Sequence, residues 1–195
     1  MLNQRIGDDL EIRVLEESDA EGLAGLAQGY NHKVQVNEWM FPGTSVGDAR
    51  AFIQSCLENH GKDKGFAAGI WFEGRLAGVT VLNIGRSVCI PRPFTASIDY
   101  AIHPDFRGRG IVTRTCAAVI DYAFRELGIK RIEILADVMN AKSCAIPERL
   151  GFMKEGVLRQ SVSYGSCHGD IAVYSLLRSE WETSMETSRD RASGS

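Results

Sequence analysis

The sequence predicts an α/β protein with a mixed central sheet of about seven strands and helices on both faces. Three observations predict it. Short apolar runs, alternating or continuous, recur along the chain. Amphipathic stretches with capping signals lie between them. Their order is strand, two helices, three strands, helix, strand, helix, two strands, which suits a sheet wrapped by helices rather than a bundle or a sandwich.

Leu10, Ile12 and Val14 alternate with polar residues and open the series as a strand. Ser18-Asp19 offers an N-cap for a helix through about Gln28. The segment from Asn31 to Pro42 has no regular period and carries Trp39, Met40 and Phe41. Ser45 and Asp48 have the spacing of a capping box, with Asp in place of Glu, ahead of a helix bearing Ala49, Phe52, Ile53 and Leu57. Phe66 to Phe72 and Leu76 to Ile84 read as two strands joined at Glu73-Gly74. A loop with Pro91 and Pro93 leads to a strand from about Thr95 to His103. A glycine-rich loop then opens a long helix from about Ile111 to Leu127, with Gly128 as its stop. Ile132, Ile134, Ala136 and Val138 mark another strand. Ser143 to Leu150 is a short helix ended by Gly151. Val157 to Tyr164 and Ile171 to Leu177 form a last antiparallel pair, joined across Gly165 to Gly169. Residues 1–183 are expected to make a single domain. Residues 184–195, rich in Ser, Arg, Asp and Gly, read as a disordered tail.

Composition narrows the class. The 195 residues suit one domain with a core of its own, and 44% hydrophobic with 24% charged residues is ordinary for a soluble protein. No apolar run approaches the roughly 20 residues that span a bilayer. Met1 to Ile6 lacks the apolar centre of a secretory signal, so a cytoplasmic location is expected. The net charge of -3 gives no global attraction to nucleic acid or to an anionic membrane, and neither is expected as a partner. Cys56, Cys89, Cys116, Cys144 and Cys167 are odd in number and form no CxxC pair. Free thiols are expected rather than a disulfide framework or a metal site.

The most informative stretch runs from Ile102 through His103-Pro104-Asp105-Phe106 to Arg107-Gly108-Arg109-Gly110-Ile111-Val112. A strand ends, a loop with two glycines follows, and a helix begins. Glycine lets backbone N–H groups approach an anion closely. A helix start leaves about four N–H groups without intrahelical partners and carries partial positive charge. Arg107 and Arg109 add charge and donors. Together these make an anion site. The spacing is not that of a P-loop, since no Gly-Lys-Ser/Thr follows, nor of a dinucleotide GxGxxG. On local chemistry the alternative is a tight strand-to-helix connection with two solvated arginines.

The run from Ala101 to Val112 resembles motif A of the GCN5-related N-acetyltransferases, Arg/Gln-x-x-Gly-x-Gly/Ala. Arg107 and Gly110 match, and Val112 stands where Gly or Ala is usual. Asn140-Ala141-Lys142-Ser143 with Glu148-Arg149-Leu150-Gly151-Phe152 resembles a second block of the family. Its continuation, Glu155-Gly156-Val157-Leu158-Arg159-Gln160, is similar to the Rim-type subgroup, which acetylates ribosomal-protein N-termini. The resemblance covers about Leu10 to Leu177. It implies the family's fold, with a splay between the fourth and fifth of the seven expected strands. It also implies acetyl-CoA as co-substrate without a metal, an amine acceptor (a protein N-terminus or a small molecule) and a possible homodimer. It assigns the coenzyme's diphosphate to the backbone of Arg107, Gly108, Arg109, Gly110, Ile111, Val112 and Thr113. It assigns the pantetheine arm to Ile102 and Asn140, and places Ser143 near the thioester sulfur.

Acyl transfer from a thioester to an amine needs a base for the amine, donors for the oxyanion and a donor for the leaving thiolate. Ser143 is the candidate for the thiolate, with an N-cap of the short helix as its equal alternative. Many relatives carry a Tyr acid where this chain has Pro147, which strengthens Ser143. The Rim-type Glu base corresponds to Val162, which cannot take a proton. Asp99 is therefore the leading base, against a structural carboxylate facing a donor. His103 reads as part of a His-Pro-Asp turn. Trp39 and His168 are candidates for the acceptor pocket, with Met40 and Phe41 beside the first. The missing Tyr and Glu keep a second function open, a non-catalytic acyl-CoA-binding module on the same fold.

Overall fold

The computed structural model describes residues 3–28, 43–58, 64–85, 94–164 and 167–193. Trp39, Met40 and Phe41 lie outside them. The chain divides into two compact units, one of Met1–Ile84 with Ile98–Tyr122, the other of Gly85–Ser97 with Ala123–Ser195.

In the first unit, β1 (Asn3–Ile6), β2 (Leu10–Val14), β3 (Gly65–Phe72), β4 (Arg75–Ile84) and the C-terminal part of β5 (Thr95–Ile102) are hydrogen-bonded in that order. The pairings from β1 through β4 are antiparallel. Two helices, α1 (Ala20–Gln28) and α2 (Val46–Glu58), supply Leu23, Ala24, Phe52 and Ile53 to a core completed by Val79 and Val81 of β4. The expected capping box of α2 is present. Ser45 Oγ accepts from Asp48 N–H at 3.1 Å, and Asp48 Oδ2 accepts from Ser45 N–H at 3.1 Å. The start of α1 differs from expectation. Glu17–Asp19 is a 3-10 turn capped by Glu16, because Asp19 bonds back to Glu16 N–H, and the α-helix opens only at Ala20. Strand β1 was not expected at all. Its residues are exposed or nearly so, and they carry no apolar alternation.

A second core lies under the glycine-rich loop. Leu10, Ile70, Phe72, Ala77, Phe106 and Ile111 pack there. Gly78 of β4 has a spatial reason to be glycine, since a Cβ there would collide with the carbonyl of Ala101 on β5.

In the second unit the order is β5, β6 (Arg131–Asp137), β8 (Cys167–Leu177), β7 (Met153–Tyr164). The β5–β6 pairing is parallel and runs over Thr95, Ala96 and Ser97 against Arg131, Ile132 and Glu133, while β6–β8 and β8–β7 are antiparallel. Helix α3 (Ile111–Glu126) belongs to both units and stops before Gly128, whose φ of 68° ends it as expected. Helix α4 (Ala141–Arg149) starts two residues earlier than the expected Ser143 because Asn140, not Ser143, is its N-cap. The expected disordered tail from residue 184 is instead helical as far as Ser193, within α5 (Arg178–Ser193). Arg178 pairs with Glu182 one turn on, and Trp181 packs on Phe124 with ring centroids 5.4 Å apart. No helix among the described residues is long and apolar enough to cross a membrane.

Candidate active site

The glycine-rich loop begins where β5 ends. His103 N–H donates to the carbonyl of Ala77 at 2.8 Å, and His103 Nδ1 accepts from Asp105 N–H at 3.3 Å. His103 thus uses its backbone N–H and Nδ1 to build the turn, as expected for a His-Pro-Asp sequence. Pro104–Phe106 makes one 3-10 turn, and Phe106 drops into the core at 7% exposure. Its ring meets Phe72 and His103 edge-on, both with centroids 6.2 Å apart. This anchors the loop from below while Arg107, Gly108, Arg109 and Gly110 stay exposed. The Arg109 guanidinium lies 5.7 Å from the Phe72 ring centroid and 6.0 Å from that of Phe106.

Gly108 and Gly110 have φ of 77° and 71°, conformations that other residues adopt only with strain. A Cβ at either would meet nothing within 4 Å, so backbone torsion rather than crowding demands glycine there. The α3 ladder starts with Arg114 N–H donating to the Gly110 carbonyl at 3.0 Å. The N–H groups of Ile111, Val112 and Thr113 precede that ladder and carry the positive end of the helix dipole. Ile111 and Val112 are buried, so the departure at Val112 is absorbed by the core and its bulk does not project into the loop. The helix start is tethered from the side. Arg114 makes a bidentate bridge to Asp9, at 2.6 and 2.9 Å, and also donates to the carbonyl of Ile6. This pairing holds the Asp9 carboxyl below its ordinary range. The donor set suits a diphosphate: left-handed glycines, a helix start and two arginines.

The second block stands in the other unit. Asn140 Oδ1 accepts from Ser143 N–H at 3.1 Å, and the Asn140 carbonyl accepts from the same group at 2.9 Å. Ser143 is thus the third residue of α4, capped rather than capping. Ser143 stands on the first turn with intermediate exposure. Cys144 Sγ donates to the carbonyl of Asp137 at 3.4 Å. On the same helix, Glu148 Oε1 accepts from the hydroxyl of Tyr174 at 3.0 Å. Tyr174 is 1% exposed, and burial followed by its Glu148 and Cys144 neighbours pushes the phenol upward. In the sequence Tyr174 is one more residue of the Ile171 to Leu177 strand, and nothing at its position announces a partner on α4.

Asp99 lies on β5 with its carboxylate accepting from Asn83 Nδ2 at 2.9 Å and its carbonyl accepting from Thr80 Oγ1 at 3.2 Å. A neighbouring donor is therefore present. Ile102, on the same strand, packs against the core under the loop. His168 is in β8, paired with Ser163, and not in the loop where it was expected. Pairing of β7 with β8 continues to Tyr164↔Cys167, so Cys167, His168 and Gly169 are strand residues rather than the expected connection. Glu133 is 2% exposed and bridged by Arg131 at 2.9 Å. Arg131 also forks onto Glu155 at 2.6 and 2.7 Å, and Ser175 Oγ donates to Glu155 at 2.7 Å. Arg131 first, then Ser175, lower the Glu155 carboxyl to about 2. Among the described residues no group of His, Cys, Asp and Glu is placed to hold a metal.

Comparison with known proteins finds relatives over most of the chain. The family model described as an acetyltransferase (GNAT) domain matches residues 9–153. YdaF of Bacillus subtilis (strain 168), which carries the provisional name of ribosomal N-acetyltransferase, is 33% identical over 190 residues, covering 93% of this chain and 98% of its own. The microcin C7 self-immunity acetyltransferase MccE, solved with acetyl-CoA and AMP, superposes with a TM-score of 0.76 at 27% identity, covering 90% of this chain and 96% of that one. RimL, an alpha-N-protein acetyltransferase of ribosomal L7/L12 solved with coenzyme A, gives 0.76 at 25% identity, covering 89% and 96%.

Proposed function

The chain belongs to the GNAT family and is an acetyl-CoA-dependent N-acetyltransferase; we propose that it acetylates a primary amine of a peptide N-terminus or small molecule by direct attack in a ternary complex. The observation that carries this is the loop of Arg107 to Thr113, with two left-handed glycines ahead of an unladdered helix start. Its backbone N–H groups hold the diphosphate, and Arg107 and Arg109 neutralise it. Ile102 and Asn140 take the pantetheine arm.

In the transfer step the neutral amine nitrogen attacks the thioester carbonyl carbon, and the carbon–sulfur bond breaks. Asp99 takes the proton that the amine loses, directly or through water. Ser143 donates to the leaving thiolate. The cap from Asn140 supports this role, because the N-terminal capping that was the alternative for Ser143 falls to Asn140. No covalent enzyme intermediate is required, since positioning supplies most of the acceleration. The names of YdaF and RimL favour a ribosomal acceptor, with RimL's alpha-N-protein label favouring an α-amine, whereas MccE, named for microcin C7 immunity and solved with AMP, favours a small molecule. Val162 in the Rim-type base position weighs against the ribosomal substrate. Trp39 and His168 complete the proposed acceptor pocket, and the resemblance further implies a homodimer.

The test is thiol release from acetyl-CoA across a panel of peptides and small amines. Acetylation of at least one α-amine is expected. Tight acetyl-CoA binding with no consumption across the panel would favour the non-catalytic alternative.

A further inference from the structure

A recess of about 630 Å³ lies on the β7–β8 hairpin, lined by Val157, Leu158, Arg159, Gln160 and Asp170. It is made by the backbone. The register passes from Leu158↔Ile171 to Val162↔Gly169, so Arg159, Gln160 and Ser161 together face Asp170. Such a bulge bends the strand and re-aims its side chains, and bulges concentrate beside active sites. Gln160 sits in the left-handed region, at φ 52°. A residue other than glycine keeps that conformation only where its surroundings impose it, and such strain clusters at functional positions. Asp170 imposes it here: Gln160 N–H donates to Asp170 Oδ1 at 2.8 Å.

The same residue ties the recess to α4. The carbonyl of Asp170 accepts from Val138 N–H at 3.0 Å, and β6 pairs Asp137 with Ile171. Two residues after Val138 comes Asn140, the cap that presents Ser143. The recess and the start of α4 therefore stand on bonded neighbouring segments. Its chemistry is zwitterionic. A carboxylate offers about four lone-pair sites and the Gln160 bond accounts for one. The Arg159 side chain adds a planar cation suited to carboxylate. Val157 and Leu158 give an apolar wall, and Val157 is 41% exposed.

We propose that this recess is the acceptor subsite, with Asp170 receiving the acceptor's amine, which binds as ammonium and turns neutral when it gives its proton to the base, and Arg159 pairing with an anionic group on the same acceptor. The acceptor is then an amino acid, aminoacyl compound or peptide with a carboxylate close to its α-amine. A polyamine leaves Arg159 without a counter-charge and is disfavoured. The inference rests on the transferase reading above and deepens it.

Asp170→Asn separates charge from structure, because the amide oxygen still accepts from Gln160 N–H. The full chain with coenzyme A is titrated calorimetrically with the dipeptide Ala-Asp and with alaninamide, which lacks the anion. Asp170→Asn should weaken both probes about tenfold, and Arg159→Ala should weaken only the dipeptide, as expected for charge-assisted contacts. Coenzyme A affinity should not change in either variant. Dipeptide binding by Asp170→Asn equal to wild type would reduce Asp170 to a bulge support and overturn the subsite. Failure of the wild type to bind the dipeptide would overturn it as well. Because binding is read without turnover, the two readings fail separately. Probes that bind with this variant pattern but are never acetylated leave the subsite and sink the transfer. Acetylation with acceptor KM unmoved by both variants does the reverse.

Discussion

At the residue scale, two side chains carry the proposed chemistry, and each has a structural rival. Ser143 has lost one rival, since Asn140 performs the capping of α4. Ser143→Ala should therefore lower kcat by about a hundredfold, the lower end for a positioned proton donor, with acetyl-CoA affinity preserved. Steady-state turnover alongside calorimetry checks this, and unchanged turnover would leave the hydroxyl without a catalytic role. Asp99 keeps its rival, because Asn83 donates to its carboxylate and would do so in a purely structural pair. The pH–rate profile distinguishes them. A base must shed its proton before it can act, so the rate climbs with pH through its titration. Asp99→Asn should remove or shift that climb, whereas a structural carboxylate leaves its shape intact. These two roles came from spacing and resemblance. The Asp170–Gln160 contact did not, because it depends on a bulge, and three residues facing one is a property of pairing that no local pattern records.

At the element scale, the hairpin β7–β8 and strand β6 are locked by a charge network rather than by apolar packing alone. Arg131 bridges Glu133 and Glu155, and Ser175 adds a donor to the latter. The Glu155 carboxyl falls from its ordinary 4.5 to about 2 when these partners surround it. A carboxyl depressed on folding contributes stability that is fully present above 4.5 and is lost as the pH falls toward 2. Urea midpoints followed down through that window should fall for the wild type. Glu155→Gln should start lower at neutral pH and show a flatter acid slope. An unaltered slope would mean that the 42% exposure of the Glu155 side chain lets solvent screen the network away. Helix α2 was legible because its capping box is local, and α4 was misplaced by two residues because Asn140 and Ser143 both look like caps. Strand β1 was invisible for a different reason. Its polar, exposed residues gain order only by pairing with β2, beside the Arg114–Asp9 bridge formed across more than a hundred residues of sequence.

At the scale of the whole molecule, ligand binding must appear as stability. The chain carries a net charge of -3, so attraction for an anionic co-substrate is a matter of local field, which the proposed site assigns to Arg107, Arg109 and the α3 start. Any ligand that binds only the folded state raises its unfolding free energy by mass action, by about 2.7 kcal/mol at a hundredfold excess over Kd. For a chain of this length each kcal/mol moves Tm by about 2–4 °C, so saturating acetyl-CoA should raise Tm by roughly 5–10 °C. The rise should shrink with added salt as the arginine field is screened. Gly110→Glu tests where the attraction resides. A Cβ at Gly110 meets nothing within 4 Å, so the added side chain has room and the cost to the free protein is confined to its φ of 71°. That torsional strain is of order 1 kcal/mol, small enough to leave a folded protein. The new carboxylate, however, sits among the N–H groups proposed to hold the phosphates. The variant should melt a few degrees lower and show no acetyl-CoA shift at all. A full shift in the variant would move the diphosphate elsewhere on the molecule, whatever its family membership.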